Sequence, residues 1–342
     1  MKPLVSILIP AYNAEEWIAA TLRSALGQTW PNKEIIVVDD GSKDGTKAVA
    51  EKFSKDGVIV LSQKNQGASA ARNKAFSLCH GDYIQWLDAD DILAPDKILR
   101  QMEFAPQCPK RTLLSSEWGQ FLYRTKRADF VRTALWEDLS PLEWLIRKMS
   151  SNIWMQPGSW LVSRELTEAA GPWDERLSFD DDGEYFCRVL LKADRIKFIP
   201  GARIFYRTAL STSLSTFDGS DKKLESAWLS NQLHVKYLLQ MEESERTREA
   251  AVKYLRTWLP TYIPARPDII EKMKELGRTL GGEIRRLETD DVLRWKFAWM
   301  KNVFGSRFAY WAQICLPRFK HQTIRSWDKF IFQFEKLMQP EL

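Results

Sequence analysis

Apolar runs and helix-like segments alternate over roughly the first hundred residues, and this alternation restricts the fold more than any other feature. Four apolar runs predict strands: LVSILIP (Leu4–Pro10), EIIVVDD (Glu34–Asp40), GVIVLSQ and DYIQWLDA. The segments AEEWIAATLRSALGQ, DGTKAVAEKFSK and GASAARNKAFSLC lie between them and predict helices. Strand–helix alternation of this kind predicts a mostly parallel α/β sheet flanked by helices, with right-handed connections.

The pattern changes twice farther along the chain. From about Arg111 to Arg207 it is less regular, with predicted strands at PGSWLVS and RIKFIPG and a predicted helix at GEYFCRVLLKA. After about Ser220 the sequence predicts an almost wholly helical extension, broken by prolines at 260, 264, 267 and 317. A chain of 342 residues exceeds the usual size of one domain, so we expect one large domain with an extension, or two domains.

Composition excludes several classes of protein. A net charge of +5 gives no case for nucleic-acid binding. The cysteines and histidines are scattered and form no CxxC pair or histidine cluster (Cys79, Cys108, Cys187, Cys315; His80, His234, His321). We therefore expect reduced thiols in a cytosolic protein, without a disulfide framework or a zinc site. No secretory signal is apparent, and no run of about 18 apolar residues predicts a transmembrane helix.

Carboxylates gather where the predicted strands end. Asp39 and Asp40 end the second strand, and Asp88, Asp90 and Asp91 follow the fourth. Ligands of open α/β sheets bind beyond the carboxyl ends of the strands, so these side chains should converge on one crevice. Such carboxylates suit Mg²⁺ or Mn²⁺, which typically takes one or two of them plus substrate phosphates. The alternative is a helix N-cap followed by a solvated turn. The fingerprint G-x-G-x-x-G is absent after the first strand, which disfavours a nicotinamide-binding domain.

A second acidic cluster lies in FDDDGEYFCR (Phe179–Arg188). It places Asp180, Asp181, Asp182 and Glu184 directly before an apolar stretch. Like charges this close repel one another, so the cluster needs a reason. One possibility is a helix N-terminus, where negative charge is stabilising. The other is chemistry that uses a carboxylate.

Four segments together resemble the amino-terminal half of the family 2 glycosyltransferases, which have the GT-A fold. They are VSILIPAYNAEEWIAATLRSALGQT, EIIVVDDGSKDGT, NQGASAARNKAF and GDYIQWLDADD, and the resemblance extends roughly from Leu4 to Arg207. It implies an inverting transfer of a sugar from a nucleotide-sugar donor, a UDP-sugar, to an acceptor hydroxyl, with Mn²⁺ or Mg²⁺ as cofactor. We therefore expect a GT-A catalytic domain at residues 1–215, with nucleotide-sugar binding in 1–110 and the acceptor and catalytic half in 111–215. Residues 216–342 would form the helical C-terminal extension.

The resemblance also assigns donor-binding residues. Those implied are Pro10, Tyr12, Glu15, Asp39, Asp40, Arg72, Asp88 and Asp90. Tyr12 would stack on the base, and Asp40, with Asp39 close by, would accept the N–H of a uracil ring. Asp90 would bind the metal ion, and the adjacent Asp91 could exchange roles with it. An Asx turn at Asp39-Asp40 and an exposed helix arginine at Arg72 remain the alternatives.

The family places its general base in a Glu-Asp pair near a helix start. Here Asp181 stands in the Glu place and Asp182 matches the Asp, so the base is one of these two, with Asp182 preferred. Acceptor-binding residues implied nearby are Trp173, Asp174 and Glu184. Trp173 could equally pack in the core.

The last part of the chain mixes aromatic and basic residues, as in VLRWKFAWMKNVFGSRFAYWAQ and RFKHQTIRSWDKFIFQFEKLM. Such helices suit the inner face of a membrane, or they pack on the catalytic core or a second subunit. A peripheral position would fit an enzyme of cell-surface polysaccharide or glycolipid synthesis. Two other hypotheses are a non-catalytic nucleotide-sugar-binding protein of the same fold and a nucleotidyltransferase. The second is disfavoured because PAYNAEEW lacks a glycine-rich loop and a lysine.

Overall fold

The computed structural model describes residues 2–208, 219–263, 265–285 and 325–335. The strands in these residues are β1 Val5–Ala11, β2 Lys33–Asp39, β3 Val58–Ser62, β4 Tyr83–Trp86, β5 Ile92–Leu93, β6 Thr112–Phe121, β7 Val162–Ser163 and β8 Arg195–Arg207. The α-helices are α1 Ile18–Leu26, α2 Thr46–Glu51, α3 Ala68–Leu78, α4 Lys97–Phe104, α5 Pro141–Ser151, α6 Arg164–Ala170, α7 Asp181–Lys192, α8 Asp221–Met241, α9 Glu245–Tyr262 and α10 Pro267–Thr279. Residues 325–335 are also helical.

The first sheet confirms the predicted α/β alternation. Its strand order is β3-β2-β1-β4-β7, with parallel pairing throughout except for β7. The side chains of β1 are almost all buried because helices cover both faces of the sheet. In this register Ala11 pairs with Asp39, and Leu8 pairs with Trp86. The ends of β1, β2 and β4 therefore share one edge, as predicted for the crevice.

A second, three-stranded sheet in the order β5-β8-β6 brings residues 111–207 to the same edge. Strand β5 follows the first acidic cluster and pairs antiparallel with β8, so that Ile92 lies opposite Phe205. Strand β8 is longer than the predicted RIKFIPG and continues to Arg207. The strand predicted at PGSWLVS is wrong for its first half. Residues Pro157–Ser159 form a 3-10 turn, because proline has no N–H to donate to a ladder.

The described part of the C-terminal extension packs on the preceding part of the chain. Helix α8 lies against α7, and α9 lies against α5. Leu224 and Leu255 of the extension belong to the same buried core as Ile7 of β1. The boundary predicted at residue 215 lies outside the described residues and stays a prediction.

The helical segment 325–335 packs against Trp17, just before α1, and against Tyr123 and Arg124, just after β6. The Asp328 carboxylate is buried and accepts hydrogen bonds from the backbone N–H of Tyr123 at 3.0 Å and from Arg124 Nε at 2.7 Å. Phe332 packs against Trp17 and Tyr123, with ring centroids 6.2 and 5.6 Å away. The aromatic and basic run VLRWKFAWMKNVFGSRFAYWAQ lies outside the described residues. Within those that are described, no helix combines the length and apolarity needed to cross a bilayer.

Candidate active site

The carboxylates that follow β4 point in different directions. Asp88 is held by Arg72, whose Nη2 donates to Asp88 Oδ1 at 2.9 Å. Asp90 is half-buried, and burial, reinforced by the Asp88 charge, raises the pKa of Asp90 to about 7. Asp91 has no solvent exposure and accepts hydrogen bonds from the backbone N–H of Arg207 at 2.8 Å and from the Gln156 side chain. Because both Asp91 oxygens are already bonded inside the protein, Asp91 does not fit the metal-binding role predicted for it.

Arg207 supports the turn that carries Asp88, Asp90 and Asp91. The guanidinium is buried between the rings of Trp17 and Phe121, 4.1 and 4.4 Å from their centroids. Its Nε donates to the Asp90 backbone carbonyl at 2.9 Å. Burial lowers the pKa of Arg207 to about 10. The side chain therefore fixes the backbone of the acidic turn.

The second acidic cluster begins α7, as the sequence predicts. Asp181 accepts hydrogen bonds from Arg72 Nη1 at 2.7 Å and from Ser69 Oγ at 3.3 Å. Among the described residues, none donates a hydrogen bond to the Asp182 carboxylate. Burial, then the charges of Asp181 and Asp180, raise the pKa of Asp182 to about 7 despite the opposing charge of Arg72. The two neighbours therefore differ: Asp181 is ion-paired and Asp182 is not.

Arg72 joins the two acidic clusters. It lies on α3 with 5% of its surface exposed, and its guanidinium binds Asp88 on one side and Asp181 on the other. It also lies 4.3 Å from the Trp173 ring centroid. Burial alone would lower the pKa of Arg72, but the charges of Asp181 and Asp88 outweigh it and raise that pKa above its usual value. An exposed helix arginine, the alternative considered for this position, is wrong.

The carboxylates at the end of β2 also have separate environments. Asp40 accepts three hydrogen bonds from the loop between β3 and α3: from Gln63 Nε2 at 2.8 Å, and from the backbone N–H groups of Gln66 at 2.9 Å and Gly67 at 2.8 Å. Asp39 Oδ2 accepts one long bond of 3.4 Å from the Ser42 N–H. Asp39 Oδ1 is buried and has no hydrogen-bond partner within the described part of the chain. Asp39, rather than Asp40, therefore retains an acceptor for a ligand.

The turn after β1 borders the same end of the sheet. Pro10 is half-buried near the end of β1, and Tyr12 is 43% exposed just beyond it. Glu15 accepts a hydrogen bond from the Gly45 N–H at 2.9 Å, which ties this turn to the one after β2. The structure therefore leaves the Tyr12 ring accessible to a base, whereas Glu15 is engaged with the backbone.

Two residues predicted to bind the acceptor are enclosed. Trp173 is 2% exposed and stacks on Tyr185 at 3.9 Å, while Arg72 covers its ring at 4.3 Å. Because these groups already pack against its ring, Trp173 serves core packing rather than sugar stacking. Glu184 is 1% exposed and accepts two hydrogen bonds from Arg188, at 2.7 and 2.9 Å. This pairing leaves Glu184 no open side for an acceptor.

Asp174 remains near the surface and accepts hydrogen bonds from Arg176, which hold the pKa of Asp174 below its usual value. Trp154 is an aromatic residue that the sequence analysis missed. It is 40% exposed, with its ring 4.3 Å from that of Trp118 and 5.6 Å from that of Tyr206. The signal was a tryptophan between Ile153 and Met155 in SNIWMQPGS, two positions before Gln156.

Solved structures share this architecture. The Staphylococcus aureus protein TarS, residues 1–349 in complex with UDP-GlcNAc, superposes with a TM-score of 0.64 over 92% of this chain and 91% of that one, at 18% identity. At that identity the match establishes the fold. The chain thus has the GT-A type of α/β fold, with a mostly parallel sheet and helices on both sides.

Sequence comparisons match part of the chain to a known family. Residues 6–125 match the model of glycosyl transferase family 2. The Escherichia coli protein named UDP-Glc:alpha-D-GlcNAc-diphosphoundecaprenol beta-1,3-glucosyltransferase WfaP is 46% identical over 103 residues, which are 30% of this chain and 41% of WfaP. EpsJ of Bacillus subtilis, an uncharacterized glycosyltransferase, is 30% identical over 215 residues, which are 60% of this chain and 62% of EpsJ. The chain therefore spans less than two thirds of either relative. The match over residues 6–125 confirms the resemblance to family 2 glycosyltransferases that was drawn from the four motifs.

The ion pairs of Arg72 lead to a prediction about stability. Arg72→Met leaves Asp88 and Asp181 without their shared cation, so we expect the free energy of unfolding to fall by about 3 kcal/mol in urea. Arg176→Met is the matched control. Its partner Asp174 lies near the surface and the Arg176 side chain is 68% exposed, so the loss should stay below about 1 kcal/mol. Equal losses in the two variants would contradict a buried bridging role for Arg72.

Proposed function

We propose that the protein transfers a sugar from a UDP-sugar to an acceptor hydroxyl with inversion of configuration. The observation that carries this proposal is the pair of acidic clusters joined by Arg72, in which the Asp182 carboxylate accepts no hydrogen bond from the described residues. A displacement of this kind needs a site for the leaving diphosphate and a base for the incoming hydroxyl. The match of residues 6–125 to the family 2 model supports the reaction class. The UDP-sugars in the name of WfaP and in the TarS complex support the donor type, and the lipid-linked acceptor in the name of WfaP supports a place in the synthesis of cell-surface polysaccharide or glycolipid.

Asp39 is the residue we propose for base recognition. Its Oδ1 is a buried carboxylate oxygen without a donor from the described residues, and a uracil imide N–H is a suitable donor for it. Asp40 would act indirectly, because its three hydrogen bonds shape the loop at Gln66–Gly67. The exposed Tyr12 ring would stack on the base.

Asp90 is the residue that fits a divalent ion. The described residues contain no group of three His, Cys, Asp or Glu side chains suited to a metal, so an ion would take most of its ligands from the donor phosphates and water. Mg²⁺ and Mn²⁺ tolerate this arrangement, with one or two carboxylates from the protein. A bound ion would offset the negative charge that grows on the departing diphosphate.

Asp182 is the proposed base. The acceptor O–H bond breaks and its proton passes to Asp182, while the acceptor oxygen forms the bond to the anomeric carbon. The bond from that carbon to the phosphate oxygen breaks, and its electron pair leaves with the nucleoside diphosphate. A pKa of about 7 suits this task, because a base is most effective when its pKa lies near the operating pH. The charge of Asp181 is balanced by Arg72, and Asp181 would help to orient the two adjacent carboxylates.

Acceptor-independent hydrolysis and transfer over a panel of UDP-sugars test this function. We expect at least one donor to release UDP in the presence of Mn²⁺ or Mg²⁺, and Asp90→Asn to lose the dependence on the ion. Asp39→Asn should weaken UDP binding measured by calorimetry about tenfold, which corresponds to about 1.4 kcal/mol. Lack of turnover with every donor, with and without the ion, would refute the proposal.

The acceptor side is proposed to include Trp154 together with Asp174. The Trp154 ring is exposed, rests on Trp118, and lies two residues from Gln156, which binds Asp91. An aromatic face of this kind suits the apolar face of a sugar ring. Trp154→Ala should raise the KM for the acceptor about tenfold, or about 1.4 kcal/mol, and leave donor hydrolysis unchanged. An unchanged acceptor KM would place the acceptor elsewhere.

Peripheral membrane contact is proposed for the helical segment 325–335, at the inner face of the membrane. Trp327, Phe330 and Phe334 are 60%, 58% and 54% exposed, and their spacing places them on one side of the helix. Aromatic rings at this density suit the headgroup level of a bilayer.

Vesicle flotation tests this contact. The wild type should float with vesicles that contain about one third phosphatidylglycerol, and the variant with Trp327→Ser, Phe330→Ser and Phe334→Ser together should stay in the soluble fraction. Equal flotation of the two proteins would remove this segment from membrane binding.

A further inference from the structure

A row of hydroxyl groups on α8 lies against the segment that leads into the candidate base. Ser226, Ser230 and Tyr237 are four and seven residues apart, which places them on one face of the helix. We propose that this face of α8 positions Asp182, so that the C-terminal extension is part of the catalytic machinery. The inference rests on the proposed function, because it concerns the residues that position the proposed base.

Ser226 holds the two residues that precede the acidic cluster. Its Oγ accepts hydrogen bonds from the backbone N–H groups of Ser178 at 2.9 Å and Phe179 at 3.0 Å, and donates to the Phe179 carbonyl at 2.9 Å. One hydroxyl offers one donor and two acceptor sites, so all of its capacity is used on this short stretch. The side chain is 4% exposed, and water therefore competes little for these bonds.

Ser230 holds the next residue, Asp180. Its Oγ donates to Asp180 Oδ2 at 2.6 Å, and Ser230 itself has no solvent exposure. Asp180 has φ 57° and ψ 30°, a left-handed conformation that is uncommon for residues other than glycine. Strained residues of this kind persist when surrounding contacts fix them. Gly183 completes the fit, because a Cβ there would lie 2.2 Å from Asp180 Oδ1.

Tyr237 secures the other side of the base. Its hydroxyl donates to Glu184 Oε1 at 2.8 Å, and Glu184 is also paired with Arg188. Contacts from α8 thus bracket Asp182, at residues 178–180 before it and at Glu184 after it. This arrangement fixes the direction of the first turn of α7 without occupying the Asp182 carboxylate.

Several titratable groups face this region from α3, α5, α7 and α8. They are Arg72, Lys148, Asp180, Asp181, Glu184, Arg188, His234 and Tyr237. Burial and the charge of Lys148 lower the pKa of His234 well below its usual value, so the ring is neutral and its Nδ1–H donates to the Ser230 carbonyl at 2.8 Å. Burial also raises the pKa of Tyr237, so the two titratable groups that α8 contributes here, His234 and Tyr237, are uncharged around neutral pH.

Ser230→Ala tests the proposal, with Asn231→Ala as its matched control. Asn231 is the next residue and is equally buried, but it bonds to Tyr262 and Tyr254 of α9 and does not touch the base segment. We expect Ser230→Ala to lower the kcat of UDP-sugar turnover at least tenfold with an unchanged Kd for UDP in the presence of Mn²⁺. Asn231→Ala should keep kcat within about twofold of the wild type. Ser226→Ala provides a second variant with the result expected for Ser230→Ala.

Hydrogen exchange without substrate separates this inference from the proposed function. The Glu184 amide, which donates to the Asp180 carbonyl at 3.2 Å, should exchange at least tenfold faster in Ser230→Ala than in Asn231→Ala, whether or not a donor has been found. Equal exchange rates, or equal kcat values in the two variants, would overturn the positioning role. Faster exchange with no turnover in the wild type would leave the support in place and refute the proposed function alone.

Discussion

The candidate site depends on the ion pairs that the buried guanidinium of Arg72 forms. The guanidinium comes from α3 and binds Asp181, which begins α7. The same group binds Asp88 beyond β4. Without this cation, carboxylates from two parts of the chain would face each other in a poorly solvated crevice, at a considerable cost in free energy. Arg72 therefore makes it possible for both acidic clusters to share one site.

The same interaction makes two adjacent carboxylates unequal. Asp181 is neutralised by its ion pair, whereas Asp182 keeps the effects of burial and of neighbouring negative charge. Neighbouring acids in different environments commonly divide acid–base tasks between them. Contacts from α8 add a second constraint, because they fix the segments on both sides of Asp182. The described part of the extension thus packs against the segments that flank the proposed base and supports them.

The sequence was sufficient for the features that depend on local pattern. Apolar runs separated by helix-like segments predicted the order of the first four strands, and the strand-end rule predicted the position of both carboxylate groups in the amino-terminal half. The predictions were wrong where contacts between residues far apart in the sequence determine the environment of a side chain. Trp173 and Tyr185 are twelve positions apart, and nothing in their spacing reveals that their rings stack. Asp90 and Asp91 are adjacent, yet only Asp91 is bonded to Gln156 and Arg207. Ser226 lies 47 residues from Phe179, and no local pattern indicates that they are bonded.

The pH dependence of kcat/KM in the wild type, Asp181→Asn and Asp182→Asn tests the central claim most directly. The base must be ionised, so the rate of the wild type should fall as the pH drops below about 7. Asp181→Asn removes a neighbouring negative charge, which lowers the pKa of Asp182. This variant should therefore retain activity, and its kcat/KM should begin to fall at a lower pH than that of the wild type. Asp182→Asn should lose a factor of about 10² to 10⁴ across the whole range. Loss of activity in Asp181→Asn together with undiminished activity in Asp182→Asn would contradict the account.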